Sequence, residues 1–217
     1  MIDFNKCEIF DISMMMHKNM PTWPGERHQF FYEYVKSTDE GDAFNVSRLS
    51  CSMHTGTHID APFHKSATGD KLEDISIKRY FGRAKVIDLM NVKEKIIKSD
   101  LIDKDLDNCD VCLLKTSNSI LINDPKFHED YIVLDPSAAK YLVDKNIKAI
   151  GVDYLGVDSF SAVEPIIHNL LFKADVMIYE GVNLNNIEDG EYIFIGLPMK
   201  ILGAEGSPVR AVLIREQ

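Results

Sequence analysis

The chain has 217 residues, 45% hydrophobic and 27% charged, a balance that fits a soluble globular protein with a sizeable core. Its formal net charge of −10, with no basic block to offset it, argues against a nucleic-acid or anionic-membrane partner. Four cysteines do not make a disulfide framework in a chain this long, and no stretch reaches the roughly 18 apolar residues of a membrane helix.

At the N-terminus, acids at Asp3, Glu8 and Asp11 and the short methionine run Met14–Met16 do not form a signal peptide, so a cytoplasmic protein is expected. In NVSRLSCSM, apolar Leu49, Cys51 and Met53 alternate with Arg48, Ser50, Ser52 and His54. That period predicts a strand with one buried face, carrying His54 on its polar side. Further strands are predicted at Ala84–Met90, Asp110–Lys115, Lys148–Asp153, Asp175–Val182, Tyr192–Pro198 and Pro208–Glu216. Between them, KEKIIKSDLI predicts one helix. DPSAAKYLVDKN predicts another, with Asp135 as N-cap and Pro136 at the first helical position. A third runs through AVEPIIHNLLF, capped by Ser159 or Ser161 and carrying His168. No repeat or linker divides the chain, so residues 1–217 are expected to form a single α/β domain with a mixed β-sheet.

The Cys-x-x-Cys of NCDVCLLK has no second pair, and Cys112 opens an apolar run; Cys109 and Cys112 read as ordinary cysteines beside a buried strand. By contrast, SMHTGTHIDAPFHK gathers His54, His58, Asp60 and His64 into one short stretch of a chain with seven histidines. Gly56, Pro62 and β-branched Thr55, Thr57 and Ile59 oppose a helix there. In an extended segment His58 and Asp60 share a side, and Gly56 lets the backbone bend so that His54 joins them. Imidazoles with a carboxylate suit zinc, manganese or iron. His17, His28 and His128 read as surface residues.

HTGTHIDAPFH (His54–His64) resembles the His-x-Gly-Thr-His-x-Asp-Ala-Pro-x-His signature of the cyclase-like metal-dependent amidohydrolases, the family that includes the bacterial kynurenine formamidases. MPTWPGE (Met20–Glu26), IGVDYLGVDS, HNLLFKADVMIYEGVNL and GEYIFIGLPMKILGAEGSPVRAVL resemble its other segments, so the likeness spans nearly the whole chain. The resemblance implies a swivelling β/β/α fold and a homodimer or homotetramer. It also implies two divalent metal ions, zinc first and manganese second. His54, His58 and Asp60 would ligate one ion, His168 with Asp60 the other, and Glu180 both. His64 would move the proton, or serve as a further ligand. Trp23, the only tryptophan, would stack on an aryl substrate, or be a core aromatic.

The implied activity is hydrolysis of a C–N amide bond by metal-activated water, of the kind that turns N-formylkynurenine into kynurenine and formate. The alternatives are another cyclic or aryl amide, isatin-like lactams among them, and a non-catalytic metal-binding or ligand-sensing protein. Tyr154, Leu155 and Gly156 depart from the Thr-Pro-Ser-Val-Asp type of sequence associated with formamidases, which bears on the substrate.

Overall fold

The computed structural model describes residues 6–25 and 30–216, so His28 and Glu26 lie outside the described residues. The described residues form twelve strands and four short α-helices: β1 (Cys7–Asp11), β2 (Phe31–Lys36), β3 (Val46–Ser50), β4 (His58–Asp60), β5 (Phe81–Asp88), β6 (Lys95–Ile96), α1 (Lys98–Leu101), β7 (Val111–Lys115), α2 (Asn118–Leu121), β8 (Val133–Leu134), α3 (Pro136–Asp144), β9 (Ala149–Val152), α4 (Ile166–Lys173), β10 (Met177–Glu180), β11 (Gly190–Pro198) and β12 (Gly206–Glu216).

The main sheet closes on itself in the order β12-β11-β5-β7-β9-β10-β4 and back to β12, with β1 alongside the far end of β12. Its β5-β7-β9-β10 segment is parallel, and the remaining pairings are antiparallel. The expected mixed α/β architecture is therefore borne out. Alternation along each strand sorts the apolar side chains into two layers. Ile59, Val86, Leu113, Met177, Tyr179, Phe194 and Leu213 fill the barrel interior. Ile87, Leu114, Ile150 and Ile178 face outward and pack under Leu142 of α3 and Ile167 and Leu171 of α4. Each such buried aliphatic side chain contributes about 1.5–3 kcal/mol.

Asp135 caps α3 by accepting the Ser137 N–H at 2.9 Å. The barrel strands fall where the apolar runs placed them, and Cys112 is buried in β7 with Cys109 half-buried beside it, both as free thiols. No helix of the described residues is long and apolar enough to cross a membrane.

Three expectations need correction. The strand through Leu49 ends at Ser50, and both its faces are open: among the described residues β3 pairs only with β2, in a hairpin outside the main sheet. His54 instead sits in the turns between β3 and β4. The helix predicted at KEKIIKSDLI is a two-residue strand, β6, followed by the single turn α1, because Ile96 and Ile97 favour extended backbone. The helix predicted through AVEPIIHNLLF begins only at Ile166, because a proline disfavours helical backbone in the residue before it, here Glu164. Neither Ser159 nor Ser161 caps it; their hydroxyls contact each other at 3.1 Å.

Candidate metal centre

β4 runs antiparallel to β10 in a register that sets His58 opposite Glu180 and Asp60 opposite Ile178. Ile59 points into the barrel, so His58 and Asp60 project together on the outer, helix-covered face, with Glu180 beside them. α4 crosses that face and supplies His168. Upstream, Gly56 takes a left-handed φ of 68°, a turn that brings His54 back over Asp60. The carbonyl of Gly56 accepts the His58 Nδ1–H at 2.9 Å, leaving Nε2 to face inward. Thr57 pins this loop to the end of β10 by donating to the Gly181 carbonyl at 2.5 Å and accepting the Met14 N–H at 2.8 Å.

Asp60 is the hub. Its Oδ1 lies 2.7 Å from His54 Nδ1 and 3.5 Å from His58 Nε2, and its Oδ2 lies 3.4 Å from His168 Nε2. Glu180 spans the same histidines, with Oε2 3.5 Å from His58 Nε2 and Oε1 3.5 Å from His168 Nε2. His54, Asp60 and His64 form one group of potential ligand atoms within 4.8 Å of one another; His58, Asp60 and Glu180 form a second. The five residues expected to ligate are thus brought together around one shared carboxylate.

The donor set fits a divalent ion. His58 Nε2 and both oxygens of Asp60 are buried without a hydrogen-bond partner, and the 2.7 Å approach of His54 is close but misaligned for a hydrogen bond. Orphaned polar atoms this deep are costly unless a cation takes them up. Burial opposes charge on His58, but Glu180 and Asp60 outweigh it and hold the imidazole up at about 9. Burial likewise opposes charge on His168, but Asp158, Asp60 and Glu180 raise it to about 9. Burial would raise Asp60, yet His168, His54 and His58 hold its carboxyl well below the usual carboxylate range. A ligating imidazole must be neutral, so ion binding would release the protons these carboxylates attract.

His64 sits in a 3₁₀ turn, Pro62–His64, that starts at a proline one residue past the end of β4, after Ala61. Its ring centroid is 4.2 Å from that of His54 and 5.8 Å from that of His168. Burial, only partly opposed by Asp60, lowers its pKa to about 3, so it is a neutral imidazole in the metal-free protein.

A cavity of about 360 Å³ opens above these groups, walled by Trp23, Lys65, Leu155, Phe160 and Val163. Trp23 packs against Phe127 and Phe160, each with ring centroids 5.3 Å away. A Cβ on Gly156 would come within 2.5 Å of the Tyr131 hydroxyl and 3.1 Å of the Trp23 ring, so only glycine allows this aromatic wall to close up. A larger groove, about 490 Å³, runs past Arg83, Asp107 and Arg215, but among the described residues no such cluster of ligand atoms lines it. His17 is exposed, and His128 pairs with Asp124 at 2.8 Å, both away from the centre.

Two residues of the site carry no signal in the sequence pattern. Phe160 reaches Trp23 from an irregular loop. Asp158 contacts His168 Nδ1 at 2.6 Å across that loop. A carboxylate ten residues before a histidine marks no regular element, so neither periodicity nor spacing points to the pair.

Comparison with known proteins gives a consistent picture. Residues 10–159 match the model of the Cyclase family, described as "Putative cyclase". A kynurenine formamidase of Bacillus cereus (strain ATCC 14579) is 40% identical over 206 residues, 95% of this chain and 97% of that protein. A solved structure described as a potential metal-dependent hydrolase with cyclase activity superposes with a TM-score of 0.83 at 32% identity, over 97% of this chain and 100% of that one. Isatin hydrolase A from Ralstonia solanacearum shares the fold, with a TM-score of 0.85 at 22% identity, over 98% of this chain and 94% of that one.

Proposed function

The chain belongs to the cyclase family and is a metal-dependent amidohydrolase, and from that premise we propose that it removes the formyl group from N-formylkynurenine, giving formate and kynurenine. The observation that carries this reading is the shared buried carboxylate of Asp60, ringed by imidazoles, beneath a cavity walled by Trp23 and Phe160. We take His54, His58 and Asp60 to hold one ion, His168 and Asp60 the other, and Glu180 to serve both; zinc is the expected metal and manganese the second choice. Bound there, such ions would make a water nucleophilic at neutral pH and polarise the amide carbonyl.

The chain's own residues supply the rest. Water oxygen adds to the formyl carbon, the C–N bond breaks, and one proton must travel from that water to the departing nitrogen. His64 lines the cavity next to His54, and a neutral imidazole can accept that proton and return it. Trp23 and Phe160, in contact with each other, would form one wall against the aryl ring and fix the amide over the centre.

The deciding measurement is N-formylkynurenine hydrolysis by metal-stripped protein before and after zinc or manganese is restored. Turnover that returns with metal is expected. Bound metal without turnover would discard this substrate and turn attention to isatin-like lactams, since Leu155 and Gly156 border the cavity. Trp23→Ala should raise KM about tenfold with kcat little changed, in line with roughly 0.5–1.5 kcal/mol for an aromatic contact beyond its buried area. An unchanged KM would return Trp23 to a purely packing role.

We also take the protein to be a homodimer or homotetramer. The β2–β3 hairpin exposes Phe31, Tyr32, Val35 and Leu49, with Tyr34 62% and Phe44 71% exposed. A two-stranded hairpin is marginally stable in water by itself, and an apolar one needs cover. A monomeric mass in light scattering at micromolar concentration would rule this out.

A further inference from the structure

We propose that Asp158 is a positioning residue that sets which nitrogen of His168 faces the metal centre; the inference rests on the metal-centre reading given above. Asp158 Oδ2 lies 2.6 Å from His168 Nδ1. An ionised carboxylate only accepts, so Nδ1 carries the proton and the lone pair of the neutral ring is left on Nε2. That is the nitrogen 3.4 Å from Asp60 and 3.5 Å from Glu180.

The same carboxylate also fixes the backbone beneath the ring. It accepts the Ile167 N–H at 2.8 Å through Oδ1 and the His168 N–H at 3.1 Å through Oδ2. α4 follows Pro165, which offers no side-chain cap, so these first-turn amides take their acceptor from Asp158, nine and ten residues upstream. Ring and main chain of His168 are thereby held by one group.

The residue before it does the corresponding task for the other late ligand. Val157 donates its N–H to Glu180 Oε1 at 3.0 Å. Tyr131 in turn holds this dipeptide by donating its hydroxyl to the Asp158 carbonyl. Residues 157 and 158 therefore orient both ligands that arrive from α4 and β10, whereas His58 is oriented within its own loop by Gly56.

The test compares zinc binding by wild type and Asp158→Asn, both checked for folding by circular dichroism. Asparagine keeps the size and one oxygen, but it can present N–H to His168 Nδ1, which favours the tautomer with its proton on Nε2. Chelator competition should show one zinc site of the folded variant weakened about 10- to 100-fold, the usual effect of removing a ligand's hydrogen-bond partner. The downfield Nδ1–H signal of His168 in zinc-loaded wild type should be lost in the variant.

A variant that melts earlier but binds both zinc ions with unchanged affinity and keeps that signal would leave Asp158 as a helix cap only and overturn the proposal, with the metal centre intact. Wild type that takes up no zinc would overturn the centre itself and the proposal with it. If Asp158→Asn does not fold, zinc-loaded wild type decides alone: a His168 proton found on Nε2 overturns the proposal, and one on Nδ1 supports it.

Discussion

Asp60→Asn should abolish capture of both ions and lower kcat/KM by at least about 10³-fold, roughly 4 kcal/mol of transition-state stabilisation. Three histidines converge on this one side chain, and both its oxygens are buried without a hydrogen-bond partner. Asparagine keeps the volume, yet it replaces one oxygen with an NH₂ group that faces imidazole nitrogens and removes the charge that balances a cation. Loss of His54 would remove one donor from one side of the centre; loss of Asp60 removes the donor common to both. Metal analysis and turnover of the same preparation give the answer. A variant that keeps two ions per chain and activity within tenfold of wild type would show that Asp60 is not the shared ligand.

Metal-free protein gives a second readout of the same substitution. His58 and His168 are held at about 9, above the ~6.5 of an exposed imidazole. A raised folded-state value means their contribution to stability is complete below about pH 6.5 and is lost as pH rises toward about 9. Removing Asp60 takes away one of the carboxylates that raise them, so the stability of metal-free Asp60→Asn should depend less on pH across that window.

How far the sequence reached depended on how local each relation was. His54, His58 and Asp60 were legible because a dipeptide spacing on extended chain and one glycine turn suffice to bring them together. The barrel strands were legible from apolar runs that two-sided burial demands. His168 and Glu180 lie more than 100 residues beyond the signature, so only the family likeness pointed to them; β4 against β10 and α4 over both make the meeting physical. Alternation misled at Leu49, Cys51 and Met53, because a period of two reports which side chains share a face and not what covers that face. The start of α4 was readable in principle, since Pro165 disfavours helix in the residue before it. Its cap was not, because Asp158 reaches α4 across a loop with no regular spacing. The aromatic wall combines Trp23, Phe127 and Phe160 from three separate segments, a grouping that only the fold creates.

His64→Asn should lower kcat about 10²- to 10⁴-fold while leaving KM and metal content near wild type, the loss expected when a general acid–base group is removed. The distinction matters because His64 also lies within ligand reach of His54 and Asp60. A ligand and a proton carrier differ in what accompanies the rate loss. If His64 ligates, the variant should lose an ion along with its activity. If it carries the proton to the departing nitrogen, the defect should depend on how badly that nitrogen needs one. Burial holds the His64 imidazole neutral in the metal-free protein, and a neutral ring can take a proton from the attacking water and pass it to that nitrogen. The aniline released from a formanilide with a strongly electron-withdrawing ring departs with less help from a proton, so the ratio of wild-type to variant kcat should shrink on that substrate relative to N-formylkynurenine. Equal losses on both substrates, with metal retained, would remove His64 from the proton-transfer step.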